Sequence, residues 1–259
     1  MPFADAKQRF SNRVADYIRY RPKYPVETLE LLRTECGLRP GNVVADVGSG
    51  TGILTELFLK NGNRVIGVEP NAEMRGGGEE YLRAYVNFHS VAGSAEATGI
   101  AGGSVDFVTA GQSFHWFEPQ GARQEFLRIL KPGGWVVVMW NDRRMDEAQL
   151  TREYEDLLEL YGIEYGRVKD AYPERKSLQD FFSSKKIGEQ DLPNFQELDH
   201  EGFRGRLLSS SYAPTPGHAN FEPMMAGLEK IFRAHERNGI VRMEYFTRIY
   251  FGQLKAGGN

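Results

Sequence analysis

The sequence predicts an α/β fold in which a parallel sheet is covered by helices on both faces. Three observations point to it. Short apolar runs rich in β-branched residues recur through the first half of the chain, and segments with helical spacing lie between them. One run, "VVADVGSGTG" at 43–52, passes straight into alternating glycines. Strands that alternate with helices build βαβ units, and strands apolar almost throughout fit burial on both sides.

The elements follow in chain order. Residues 7–24 place Phe10, Val14, Tyr17 and Ile18 on one helical face, ended by Pro22 and Pro25. Strands are expected at 43–47, 64–69, 86–93, 105–110 and 134–141, with helices at "GILTELFLKNG" and "QGARQEFLRILKPGG". The "KPGG" at 131–134 reads as a helix stop followed by a turn. After Asn141 the alternation breaks. "AQLTREYEDLLELYG" and "FEPMMAGLEKIFRAHERNG" read as helices, and 243–254 reads as a late strand. The polar, aromatic stretch between them reads as an insertion over the sheet edge. Gly76–Gly78 stand in a helical context, where each glycine costs roughly 1 kcal/mol relative to alanine. Local mobility or an irregular turn would account for them.

Bulk properties narrow the class. With 259 residues the chain suffices for one large domain or a domain with a sizeable insertion. Hydrophobic residues at 41% and charged residues at 26% are those of a folded globular chain. No apolar run reaches the roughly 18 residues a membrane helix needs, so no membrane partner is expected. "MPFADAKQRF" lacks an apolar h-region, so no signal peptide is expected and the cytoplasm is the expected compartment. Cys36 is the only cysteine, which excludes an intrachain disulfide and a cysteine-rich metal site; no metal is expected. A net charge of -3 supplies no global basic field to gather nucleic acid.

A strand, a glycine-rich turn and a helix at the carboxyl end of a parallel sheet form a ligand site by topology. The dinucleotide fingerprint is GxGxxG, whereas Gly48, Gly50 and Gly52 alternate as GxGxG and Ile53 occupies the third-glycine position. The loop also lacks the GK[ST] ending of a nucleoside-triphosphate loop. A carboxylate at Asp46 would repel a pyrophosphate but suits a ligand carrying an ammonium and a sulfonium. The next strand ends in Glu69, where an acid can accept hydrogen bonds from both ribose hydroxyls.

"ADVGSGTG", "GVEP" and "LKPGG" resemble the class I S-adenosylmethionine-dependent methyltransferases over roughly residues 40–142. "SAEAT", "QSFHWF" and "YRPKYP" resemble the small-molecule branch that includes trans-aconitate methyltransferase-like (type 11) proteins, as do the less specific "LLSSSYAPTPG" and "EYFTRIYFG". The resemblance implies a doubly wound, seven-stranded Rossmann-like sheet, mostly parallel with an antiparallel late strand, plus a mainly helical insertion. It divides the chain into an N-terminal lid and first flanking helix (1–39), a cofactor-binding core (40–142), an insertion capping the substrate (143–194), and strands and helices completing the core (195–259). Asp46, Gly48, Ser49, Gly50 and Gly52 would line the methionine end of S-adenosylmethionine, and Glu69 would hold the ribose. Pro70 and Met74 would flank the adenine, with Ser94, Ala95 and Glu96 at its edge. Relatives commonly carry aspartate where Ser94 stands, so the resemblance implies either a weaker contact there or a shift of it to Glu96. Gln112, Ser113 and His115 would sit by the transferred methyl, and S-adenosylhomocysteine would be the product.

The acceptor side is less legible. His115 has a reference pKa near 6.5 that suits a general base; alternatively His115–Trp116–Phe117 is a packing cluster. Tyr17, Tyr20 and Arg21 either form a lid, with Arg21 meeting an acidic substrate or the cofactor carboxylate, or belong to a helix docked on the sheet. Trp116 and Asn141 are further candidate acceptor contacts. The hydroxyls of Ser209–Tyr212 read better as a polar helix end, and Arg143–Arg144 read as solvated surface. The expected function is methyl transfer to oxygen, nitrogen or carboxylate of a small molecule, by a monomer or homodimer. Nucleic-acid or protein methylation and cofactor binding without chemistry are the alternatives. "GQSFHWF" stands where amine-methylating nucleic-acid enzymes carry Asn/Asp-Pro-Pro-aromatic, and Cys36 lies too far from the loop for a cysteine adduct. The glycine spacing disfavours an NAD-dependent oxidoreductase.

Overall fold

The computed structural model describes residues 14–145, 149–170, 175–184 and 187–255. The expected Phe10 contact of the first helix lies outside the described residues. Within them, the alternating half folds as β1 (Val43–Val47), α3 (Ile53–Lys60), β2 (Arg64–Val68), α4 (Ala72–Tyr81), β3 (Phe88–Val91), β4 (Val105–Gly111), α5 (Pro119–Ile129) and β5 (Leu130–Arg143). Helices α1 (Val14–Tyr20) and α2 (Glu27–Cys36) precede it. Then come α6 (Gln149–Tyr161), α7 (Tyr165–Asp170), α8 (Arg175–Phe182), β6 (Gly188–Leu198), α9 (His200–Leu208), α10 (Phe221–His235) and β7 (Val241–Gly252).

The seven strands form one sheet in the order β3-β2-β1-β4-β5-β7-β6. β1 to β5 pair in parallel, and β7 runs antiparallel between β5 and β6. The strand order reverses between β1 and β4, so a crevice opens at their carboxyl ends.

Each parallel strand is apolar on both faces because both are covered. Ala45, Val47, Val108, Val136 and Val138 pack with Phe126 of α5 and Phe182 of α8. Val44, Phe107, Val137 and Met139 point the other way, toward Leu32 of α2 and Phe58 of α3. A third core joins α6, α9 and α10 to Tyr245 and Met243 of β7. It extends the sheet's covered surface past β5 and places helices beside the crevice.

Three expectations are corrected here. "KPGG" is not a turn between helix and strand: it lies within β5, where the register with β4 shifts between Val105 and Phe107. Gly133, at φ +77°, absorbs the irregularity, as glycine does in a bulge. The stretch read as a mainly helical insertion also holds the start of a strand that the sequence reading did not single out, since β6 begins at Gly188. Its run "GEQDLPNFQEL" carries no apolar alternation because this is an edge strand, with half-buried and exposed positions along most of its length. Finally, Gly76–Gly78 form neither an irregular turn nor a break; they are helical, inside α4. A β-carbon on Gly77 would stand 2.3 Å from Val14 Cγ1, and one on Gly78 would stand 3.2 Å from the Gly50 carbonyl oxygen. The glycines let α1 and the β1–α3 loop approach α4 closely.

Candidate cofactor and acceptor site

The β1–α3 turn is built by backbone that only glycine adopts readily. Gly48, Gly50 and Gly52 have φ of +67°, +55° and +86°. The amides of Gly48 and Ser49 both donate to the Val68 carbonyl, at 2.9 and 3.1 Å, so the loop is tied to the end of β2. A β-carbon on Gly48 would meet the Ser113 β-carbon at 2.6 Å. Gly52 has a different task. A β-carbon there would meet the Leu82 side chain, and Gly52 is not among the residues that line the cavity.

Glu69 follows β2 immediately. Its Oε2 accepts the Gly50 amide at 2.9 Å and its Oε1 accepts the Asn71 amide at 2.8 Å. Asn71 in turn caps α4 by accepting the Met74 amide. Asp46 is buried under the loop, with Oδ2 accepting Thr55 Oγ1 at 2.6 Å and Oδ1 accepting Thr109 Oγ1 at 3.2 Å. Burial raises its carboxyl from 3.8 to about 7; the two hydroxyls oppose that rise and the Glu69 charge adds to it.

These groups open onto a cavity of about 440 Å³. Asp46, Gly48, Ser49, Gly50, Glu69 and Pro70 line it, with Met74 and the Ser94–Ala95–Glu96 turn. Glu96 also accepts the Glu118 amide at 2.9 Å, which fastens that turn to the start of α5. Gln112 and Ser113 line it as well. Gln112 takes φ +56°, an uncommon conformation for a residue with a side chain, and Ser113 Oγ donates to the Val47 carbonyl at 2.9 Å.

Tyr17, Arg21, Trp116 and Asn141, the candidate acceptor contacts, also line the cavity. Tyr20 and His115 do not line the cavity. The Tyr20 ring is buried over Gly205 of α9, and its hydroxyl donates to Glu201 at 2.8 Å. His115 sits in a one-turn 3-10 helix, Phe114–Trp116, with its ring 4.7 Å from that of Trp116. Burial pulls its pKa from 6.5 down to about 4. Phe117, read from the sequence as part of a packing cluster, lines the cavity, and Pro22, Tyr24 and Asn71 are wall residues that sequence reasoning did not single out as site residues. For Pro22 and Tyr24 the signal was present, since both lie in "YRPKYP".

Arg143 and Arg144 are not solvated surface. Arg143 Nη2 lies 2.7 Å from Glu155 Oε2, with side chains 14% and 8% exposed, and also donates to the Tyr165 hydroxyl. Arg144 pairs with Glu244 at 3.1 Å and stacks over Phe246. Behind them Arg206 is buried with Tyr245 and Ser210 as hydrogen-bond partners. Burial raises the nearby Tyr212 phenol, but Arg143, Arg206 and Arg21 outweigh it and hold that phenol below its ordinary value. Ser209–Tyr212 are buried in this cluster or packed against it, in keeping with a structural helix end.

The strand order, with a glycine turn after β1 at the sheet's carboxyl edge, is that of a Rossmann-like methyltransferase sheet. Residues 45–138 match the family model described as a methyltransferase domain. The uncharacterized methyltransferase Rv3342 of Mycobacterium tuberculosis is 31% identical over 212 residues, 82% of this chain and 80% of that one. The uncharacterized methyltransferase C25B8.09 of Schizosaccharomyces pombe is 33% identical over 135 residues, 52% of this chain and 53% of its own. A solved structure from Anaeromyxobacter dehalogenans with a provisional type II methyltransferase designation superposes with a TM-score of 0.63 at 22% identity, covering 92% of this chain and all of that one. The chain belongs to the class I S-adenosylmethionine-dependent methyltransferases. Among the described residues, no helix is long and apolar enough to cross a membrane.

Proposed function

We propose that this enzyme transfers a methyl group from S-adenosylmethionine to oxygen, nitrogen or carboxylate of a small-molecule acceptor, by in-line displacement. One observation carries the reading: a single cavity takes its walls both from Glu69 and the glycine turn and from Tyr17, Arg21 and Asn141. That space has room for a cofactor at one end and a small acceptor against its methyl at the other. In this proposal Glu69 accepts the ribose hydroxyls, Ser94–Glu96 and Met74 bound the adenine, and Asp46 lies under the cationic end. Bound there, the sulfonium supplies a methyl that is already activated. The residues' work is therefore to hold two partners in line and keep water out. No proton step is assigned to His115, which packs the wall from behind. In this proposal the insertion at 143–194 caps the acceptor from outside the residues that line the cavity.

Thermal unfolding with S-adenosylmethionine, S-adenosylhomocysteine and NAD tests the cofactor. A ligand at about a hundred times its dissociation constant stabilises by roughly 2.7 kcal/mol, several degrees for a chain of this size. A shift with both adenosyl compounds and none with NAD is expected. A shift with NAD alone would sink the reading.

A further inference from the structure

The wall formed by Arg21, Pro22 and Tyr24 belongs to a strap, residues 21–26, that joins α1 to α2 and has no regular secondary structure. Such a segment cannot satisfy its own backbone polar groups, and Pro22 has no amide to offer. Carboxamides from the far strands of the sheet meet its carbonyls instead. Asn194 Nδ2 of β6 donates to the Lys23 carbonyl at 2.7 Å. Gln196 Nε2, two residues along the same strand, donates to the Tyr20 carbonyl at 3.0 Å. Asn141 Nδ2 of β5 reaches the Pro22 and Lys23 carbonyls, each at 3.4 Å.

These carboxamides are themselves held. Thr247 Oγ1 of β7 donates to Asn141 Oδ1 at 2.5 Å, and Asn194 Nδ2 lies 3.1 Å from the same oxygen. Asn141, Thr247 and Asn194 are brought together by strand register: Asn141 pairs with Thr247, and Asn194 pairs with the neighbouring Tyr245. The Tyr245 hydroxyl then donates to Gln196 Oε1 at 2.9 Å. The network gives the strap a fixed height above the crevice.

We propose that Asn194 and Thr247 are positioning residues for the transfer site: they touch neither ligand, and act through the Lys23 carbonyl and Asn141 on Arg21 and Tyr24. The inference rests on the proposed cofactor reading only for its ligand arm. Asn194 is half-buried, so Asn194→Asp replaces the donor with an acceptor without opening the core. Thr247 is fully buried, and Thr247→Val keeps its shape while removing the hydroxyl. Thr247→Ser restores that hydroxyl.

The test is hydrogen exchange across residues 17–24, together with titration of S-adenosylhomocysteine into the full chain. Asn194→Asp and Thr247→Val are each expected to speed exchange in the strap and weaken S-adenosylhomocysteine by about tenfold, the scale of one supporting hydrogen bond. Thr247→Ser should behave as the parent, and the melting temperature of the Asn194 variant without ligand should be unchanged. Strap exchange and affinity within about twofold of the parent would overturn the proposal, since that is smaller than the loss of one such bond. Affinity lost only in step with melting temperature would overturn it too, because that marks a merely structural role. If the parent itself fails to bind S-adenosylhomocysteine, the cofactor reading falls, and strap exchange alone decides the clasp.

Discussion

Glu69 Oε2 accepts the Gly50 amide at 2.9 Å, so the acid after β2 also braces the turn beneath it. The proposed ribose contact and the shape of the glycine turn therefore depend on one side chain. Glu69→Ala should weaken S-adenosylhomocysteine by about 1.5–3 kcal/mol, the range for hydrogen bonds to a charged group. Calorimetric titration reads this directly. Unchanged affinity would remove Glu69 from the cofactor site.

Asp46 makes binding depend on pH. Its carboxyl titrates near 7 when folded, against 3.8 ordinarily, so the folded chain holds the extra proton between those values. Its contribution to stability is full below about pH 4 and is lost as pH rises through about 7. A cationic ligand favours the ionised form and expels that proton. S-adenosylmethionine should therefore bind more tightly as pH rises toward 7, by at most about tenfold per unit, and level off above it. Asp46→Asn should flatten the profile. A parent profile already flat from pH 6 to 8 would refute the assignment.

Two adjacent glycines of α4 should respond in opposite directions. A β-carbon on Gly76 meets nothing within 4 Å, so Gly76→Ala should stabilise by about 0.5–1 kcal/mol through helix propensity. Gly77→Ala drives into Val14 and should destabilise, displacing α1. Urea midpoints of the two variants on either side of the parent are the expected result. Equal gains from both would mean that α1 does not rest on α4.

The Arg143–Glu155 pair joins β5 to α6 with both side chains mostly buried. Removing one partner leaves a desolvated charge, and Glu155→Gln should cost about 3–5 kcal/mol. For a chain of this size that is a fall on the order of 10 °C in melting temperature. A fall of only a degree or two would show that water reaches Arg143.

The cofactor half was legible because its signals are local. The period of "VVADV" and "RVIGV", the glycine spacing and the acids Asp46 and Glu69 each lie within a few residues of the backbone they shape. Residues whose partners are distant in the chain were misread. Arg143 looks like surface until Glu155 covers it. Tyr20 looks like a lid residue until Gly205 of α9 takes its ring. The polar run of β6 gives no apolar alternation to mark an edge strand.

By itself, the sequence determined the α/β class, the turn and acid that suit an adenosyl cofactor, and the chain's membership among methyltransferases. Only the tertiary structure decided which candidates line the cavity, and His115, Tyr20 and Gly52 do not. It also decided what holds the opposite wall: Asn194 lies 171 residues from the Lys23 carbonyl it bonds. A side chain's intrinsic chemistry is written in its own residue, but a hydrogen bond also needs a partner at the right distance. For a carboxamide on an edge strand, only the sheet's register and the path of the strap supply one.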